Sequence, residues 1–591
     1  MRNNTYILSA LLGGLLLIAG CDSLNLDPPD ELTSEAVWQD AALTKAYLNQ
    51  VYSSIGYGFG NPMLGGSAVD ETKYTHSNFT DANLQSTLTP DNRGVWNNGN
   101  NTYESHNWQR VYSSLRDLNT FILNVEAGDA LGADEKATLL GEARYLRGYF
   151  YHNLWKLYGG VPLTDSPFEL GGDLEQYQIA RNSFGETYDF IIADLTAAAN
   201  ALSTSARRPG AADKGAALAL ISRVKLIAAS DLYNQNPSGM PETGFMSGDQ
   251  MTRLQEAKDA AQAVMDLNMY SLTDAPTADA YHDLIVEGSG SGMIWARFFS
   301  GDGTDAHNHS LWNSPNGYSS WSGDTPIQNH VDAYEMADGS EFSWDNPDHA
   351  AAPYANRDPR MHANILYNGR IWRPRSGGAA DADPRGIIQT GWYEQPDGSF
   401  RPGLDTREGP IQNWNGTKSG YNMAKFLSNQ IVPDAERAFN PWVHIRYAEI
   451  LLNYAEASAA MGQDGDALMA LNQVRARVGM PDVPAGGDGN RSILEHIQDE
   501  REVELAFEGH RYFDVRRWMI APDVYQGGNF GMRVEGFLDP DGELLVNNTY
   551  RYEYNVINIQ DTAWDDKNYF VPIPRDEMNR NPSLVQNPGY N

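Results

Sequence analysis

The chain's apolar residues are spaced for helices over long runs, and those runs are broken by stretches with no period at all. From Leu139 the apolar positions are Leu139, Ala143, Leu146, Phe150, Leu154 and Leu157, in steps of three and four. That spacing lines one helix face. Gly159, Gly160 and Pro162 end it. The same reading predicts helices over 183–202, 213–234 and 251–268. Asn440 and Pro441 read as an N-cap and first helical residue for a face of Ile445, Ala448, Leu452, Ala455 and Ala459. Asp466 opens a further helix that Gly479 and Pro481 close, and 492–508 follows. Short turns and small residues on the packing faces suggest tetratricopeptide-like pairs, which bury their faces only against neighbours.

Two segments break this pattern, 57–108 and 270–440. The second holds Trp295, Trp312, Trp321, Trp344, Trp372, Trp392 and Trp414, half of the chain's 14 tryptophans. Long irregular insertions on a rigid scaffold usually carry function.

The start of the chain reads as a targeting segment. Arg2 precedes an apolar run from Tyr6 to Ala19, too short for a bilayer span of ~20 residues. The run ends Leu17-Ile18-Ala19-Gly20-Cys21, and Cys21 is the only cysteine. This looks like a lipobox, with Cys21 lipidated as the new N-terminus and 1–20 as signal peptide. Several acyl chains on one cysteine anchor firmly where one does not. Residues 21–33 then form an acidic, Pro-stiffened tether. Among 591 residues, 43 Lys and Arg face 77 Asp and Glu, a formal charge of −34. That excludes phosphate-backbone binding as the main task. A single cysteine excludes a disulfide framework and a Cys-cluster zinc site.

Several motifs together resemble the SusD/RagB family of nutrient-binding outer-membrane lipoproteins of Bacteroidetes. They are the lipobox, GEARYLRGYFYHNLWKLYGGVPL at 141–163, DAYEMADG at 332–339, NRDPRM at 356–361, WVHIRYAEILLNYAEA at 442–457, EREVELAFEGHRYFDVRRW at 500–518 and PIPRDEMNRNP with QNPGY at 572–590. The resemblance implies a mainly α fold. Four tetratricopeptide-like helix pairs would form a right-handed superhelical scaffold with a large irregular loop-rich insertion. The expected pairs are 134–158 with 183–202, 213–235 with 251–268, 441–461 with 464–478, and 490–508 with 510–519. The implied organisation is a 34–269 N-terminal region holding two pairs and the 57–108 loops, a 270–440 ligand lobe, and a 441–591 C-terminal region with two pairs. The resemblance also implies a non-catalytic surface protein that captures oligosaccharide and serves as a lid for a SusC-like TonB-dependent transporter, lipid-anchored in the outer membrane and facing outward. No cofactor or metal is expected. An oligopeptide-capturing relative, or a surface glycoside hydrolase, is the alternative.

Trp96 lies in the polar run TPDNRGVWNNGNN with Asn97 and Asn98, and Trp312 and Trp321 lie in SLWNSPNGYSSWSGD with Asn313, Asn316 and Tyr318. No apolar period needs these rings. An exposed indole would stack on a sugar's C–H face, with amides on paired hydroxyls. Arg373, with Arg370 and Arg375 around Trp372, offers a planar fork for a carboxylate or sulfate. Trp155, Trp442 and Trp518 belong to the helical motifs and are expected in the core. Glu500, Glu504 and Glu508 share a helix face, but a run rich in both charge signs reads as an ion-pair network rather than an acid–base pair. His307 and His309, in a loop without ligand spacing, are weak metal candidates.

Overall fold

The computed structural model describes residues 34–60, 65–97, 104–168, 171, 173–288, 290–300, 305–412, 414–428 and 438–590. The leader, Cys21 and the tether lie outside these residues, as does Asn98. The fold is a mainly helical scaffold carrying an irregular insertion, as expected. Its principal helices are α1 (Ala41–Tyr52), α2 (Trp108–Ala127), α3 (Ala133–Tyr158), α4 (Phe184–Ala201), α5 (Lys214–Ala229) and α6 (Gln250–Met265). After the insertion come α7 (Tyr447–Ala460), α8 (Asp464–Ala476), α9 (Ile493–Glu504) and α10 (Arg511–Arg517). Capping boxes begin two of them, Ser183 with Glu186 at α4 and Ser492 with Glu495 at α9.

Neighbouring helices pack in series from α2 to α6, and α6 continues onto α7. The α3–α4 seam is close because Gly141 and Gly148 face it. A Cβ on Gly148 would sit 2.9 Å from Leu195. Across that seam Arg147 donates from Nε and Nη2 to Asp194 at 2.7 and 2.8 Å. Arg501 reaches Asp514 at 3.3 Å and so joins α9 to α10.

Three features depart from the spacing analysis. Residues 442–446 are not helical. They form a strand, antiparallel to Met293–Arg297, and α7 starts at Tyr447. Trp442, Val443 and Ile445 are aromatic or β-branched and suit a pleated surface. Helices α1 and α2 are additional, although Val111, Leu115, Leu118, Ile122 and Val125 carry the same helical spacing. A long hairpin, Asn529–Leu545 with Asn548–Gln560, extends a sheet completed by Trp392–Glu394 and Phe400–Pro402.

A buried ion-pair network fixes the insertion to the scaffold. Glu504 accepts from Arg360 at 3.0 Å and also from Arg446 and Arg477. Glu500 takes Arg360 and Arg475, and Glu508 takes Lys425 and Arg446, each at 2.8 Å. The three carboxylates are therefore spent on structure, as the mixed-charge run suggests. Trp155 and Trp442 are buried as expected. Trp518 is only half-buried, its Nε1 donating to Glu456 at 2.8 Å.

Candidate functional site

A short antiparallel ladder joins the two irregular segments. Thr72–Tyr74 pairs with Asp324–Pro326, and Thr75 N donates to Gly323 O at 2.8 Å. The residue beyond, His76, is thereby set against Trp321, with ring centroids 6.1 Å apart. Trp414 completes the group, 5.8 Å from His76 and 6.3 Å from Trp321. Trp414 is 51% exposed. His76 and Trp321 are half-buried. Three rings from three distant segments thus share one patch of surface.

The loop carrying Trp321 is pinned from several sides. Gly323 N donates to Trp312 O at 2.7 Å and Trp321 N to Leu311 O at 3.0 Å. Ser319 and Ser322 take positive φ at its bends. Asn313 Oδ1 accepts from Asp324 N at 2.8 Å. Asn316 Nδ2 donates to Thr406 O and Gln412 O, so the Trp321 loop is tied to the Trp414 loop. Gly317 N donates to Asp405, whose carboxylate also holds Arg375. Tyr318 OH donates to Arg373 O at 2.7 Å.

These contacts revise the residue assignments made from sequence. Asn313, Asn316 and Tyr318 are buried, not exposed as the sequence suggests, and their side chains bond to the backbone of this loop and its neighbours. Arg373 is buried too and donates to Ser428 O at 3.0 Å, so its guanidinium is no open anion clamp. Trp96 is 1% exposed, with its ring packed on His106, Tyr512 and Phe513. The exposed stacking ring expected there is absent, because the ring fills a gap over α10. Asn97 is half-buried, accepting from Arg93 N at 2.9 Å and donating to Asn92 at 3.0 Å. Trp312 is half-buried. Trp321 alone of that set joins the aromatic patch. Neither Trp414 nor His76 is among the residues first assigned to the site from sequence, yet Trp414 sits in IQNWNGTKS, a polar run of the same kind that singled out Trp321.

The electrostatics of the patch follow from its burial. Desolvation holds the His76 imidazole below its ordinary pKa, a hydrogen bond to the Trp321 backbone opposes this, and the charges of Arg407 and Lys418 lower it further. His76 is then a neutral ring at pH 7, suited to packing. His307 and His309 are buried among Phe59 and Phe299, and no group of three His, Cys, Asp or Glu is placed for a metal among the described residues. No described helix is long and apolar enough to cross a membrane.

Residues 291–590 match the profile of the SusD family, and residues 24–226 match a profile described as starch-binding associating with outer membrane. A SusD-like protein, P2, of Formosa agariphila is 22% identical, with 98% of each chain covered. A SusD-like protein of Bacteroides fragilis superposes with a TM-score of 0.73 at 27% identity, over 95% of this chain and all of the other. A second protein from that organism, called a SusD-like carbohydrate binding protein, gives 0.71 at 21% identity, over 93% of this chain and all of its own.

Proposed function

The chain belongs to the SusD family, and on that premise we propose that it is a surface glycan-binding lipoprotein. Cys21 carries the lipid anchor in the outer membrane. The protein captures oligosaccharide without turnover and covers a SusC-like TonB-dependent transporter as a lid. The observation that carries this reading is the convergence of Trp321, Trp414 and His76 on one accessible patch. Indole rings lose little side-chain entropy on binding and cover apolar C–H surface of a sugar. The family description as starch-binding supports a glycan over a peptide. Such an open patch binds in the micromolar range or weaker, about −8 kcal/mol or less favourable, which suits a protein that must also release. A tether supplies high effective concentration at the transporter, so little intrinsic affinity between the two is needed.

The test is retention in native gels cast with polysaccharides, starch first. The Trp321→Ala/Trp414→Ala protein should lose at least about tenfold in affinity, ~1.4 kcal/mol, at an unchanged melting temperature. Retention equal to wild type would place the site elsewhere. Release of reducing ends by purified protein would contradict capture without turnover. Gentle-detergent purification from native cells should bring down a large β-barrel protein, and its absence would count against the lid.

A further inference from the structure

We propose that the aromatic patch takes an anionic oligosaccharide, one bearing sulfate or carboxylate groups, and that Arg407 and Lys418 receive its charge. The inference rests on the reading of the patch as a glycan platform and adds the chemical class of the glycan.

The backbone sets the two cations side by side. Thr406 and Thr417 form an isolated parallel bridge, and Arg407 and Lys418 are the next residue on each segment. Gly416 lies against the Arg407 backbone so closely that a Cβ there would come 2.2 Å from Arg407 N. Trp414 is two residues before that contact, which puts the cations at the base of its loop. Both charges are felt by His76, the ring that touches Trp321 and Trp414.

Among the described residues no carboxylate answers either cation, and Arg407 Nη1 is buried without a hydrogen-bond partner. Glu408, next in sequence, is exposed and pairs with neither. Lys73, also close to Lys418, is bonded to Asp81 at 3.4 Å and to Gln560. Asp81 in turn accepts from Gln560 at 2.6 Å, so the acid whose charge acts on Lys418 is bonded to other groups. Burial, then Lys73 and Arg407, hold Lys418 below the ordinary lysine pKa, with Asp81 opposing.

The chain has a charge of −34 and 77 acids to draw on. Elsewhere it matches buried guanidinium groups to carboxylates, as at Arg360, Arg375, Arg446 and Arg517, or to backbone carbonyls, as at Arg357 and Arg516. Two half-buried cations with no carboxylate partner among the described residues, beside the exposed Trp414 and half-buried Trp321 indoles, are costly without a counter-anion. A sulfate or carboxylate on a stacked sugar would supply it, with the Arg407 fork donating to two of its oxygens. A neutral sugar would leave both charges unanswered.

The test uses the full-length lipoprotein in detergent and titration calorimetry. The probes are oligosaccharides of ι-carrageenan and fucoidan for sulfate, alginate and polygalacturonate for carboxylate, and laminarin as a neutral glucan. Binding is measured from ~0.05 M to ~0.5 M NaCl. The expected result is binding of at least one charged probe that weakens as salt rises. Preference for the first or second pair identifies the group as sulfate or carboxylate. Arg407→Gln/Lys418→Gln should lose at least about tenfold, and Arg407→Lys should lose less. Trp321→Ala/Trp414→Ala should also lose affinity. Binding of laminarin alone, abolished by the Trp changes and untouched by the Arg and Lys changes, overturns the charge assignment and leaves the glycan platform standing. Charged binding that is insensitive to salt in the wild type overturns the assignment without need of any variant. Binding of no probe overturns both readings.

Discussion

Trp96 and Tyr512 meet edge to face, their ring centroids 5.0 Å apart and their planes at 64°. The contact locks a short segment of the first irregular stretch onto α10, and it explains why Trp96 is a structural residue. Trp96→Ala should cost about 3–5 kcal/mol through the cavity it leaves. Glycan affinity of the folded fraction should not change. Urea unfolding and retention gels read the two effects separately, and a Trp96→Ala protein of normal stability but lost binding would reverse the assignment.

The helical scaffold was legible because its signal is local. Leu139 to Leu157 repeat on one face, and Ser183 and Ser492 mark helix starts. The strand 442–446 was not, because it exists only through pairing with Met293–Arg297. The site was half legible for the same reason. A tryptophan in a polar run is visible in sequence, but nothing local distinguishes Trp321, which reaches the surface patch, from Trp96, which meets Tyr512. Long-range contacts decide that, and so does the role of Asn313 and Asn316, whose amides close loops instead of facing sugar hydroxyls.

Glu504 receives three guanidinium groups, Arg360, Arg446 and Arg477. Burial raises its carboxyl pKa, but those three charges outweigh burial and hold it well below the usual range. Glu504→Gln keeps the shape and strands the three cations. The expected loss is about 3–5 kcal/mol, the cost of breaking a buried ionic group by removing one partner. Chemical denaturation measures it, and a loss under ~1 kcal/mol would mean that the network behaves like surface pairs.

Cys21→Ala should free the protein from the membrane or leave the precursor uncut, since the apolar run before it is too short to span. Fractionation should be done in cells lacking the proposed transporter, which on that proposal would itself retain the protein. Variant protein still firmly in the outer membrane fraction of such cells would exclude Cys21 as the anchor.

Acid should weaken the fold through buried neutral histidines. His307 stacks near Phe59 at 4.3 Å, its Nε2 within 3.2 Å of Asn440 O. Burial lowers its pKa to about 4 against the Asn440 hydrogen bonds, and His362 and His510 are also lowered to about 4, chiefly by burial. Between pH 6.5 and about 4 the unfolded chain therefore binds protons that the folded chain refuses. Stability must fall as pH falls through that window, by at most about 1.4 kcal/mol per unit per histidine. Glu71 acts in the opposite sense. Burial raises its pKa to about 8, so it erodes stability as pH rises from 4.5 towards 8. The total slope mixes these signs, and a difference between two proteins separates them. His307→Asn removes one of the refused protons, so its unfolding free energy should fall less steeply than wild type from pH 6.5 to about 4, whatever its absolute stability. Urea melts across that range measure both slopes. Parallel curves would show that His307 titrates alike in the folded and unfolded chain, and that its burial does not hold it neutral.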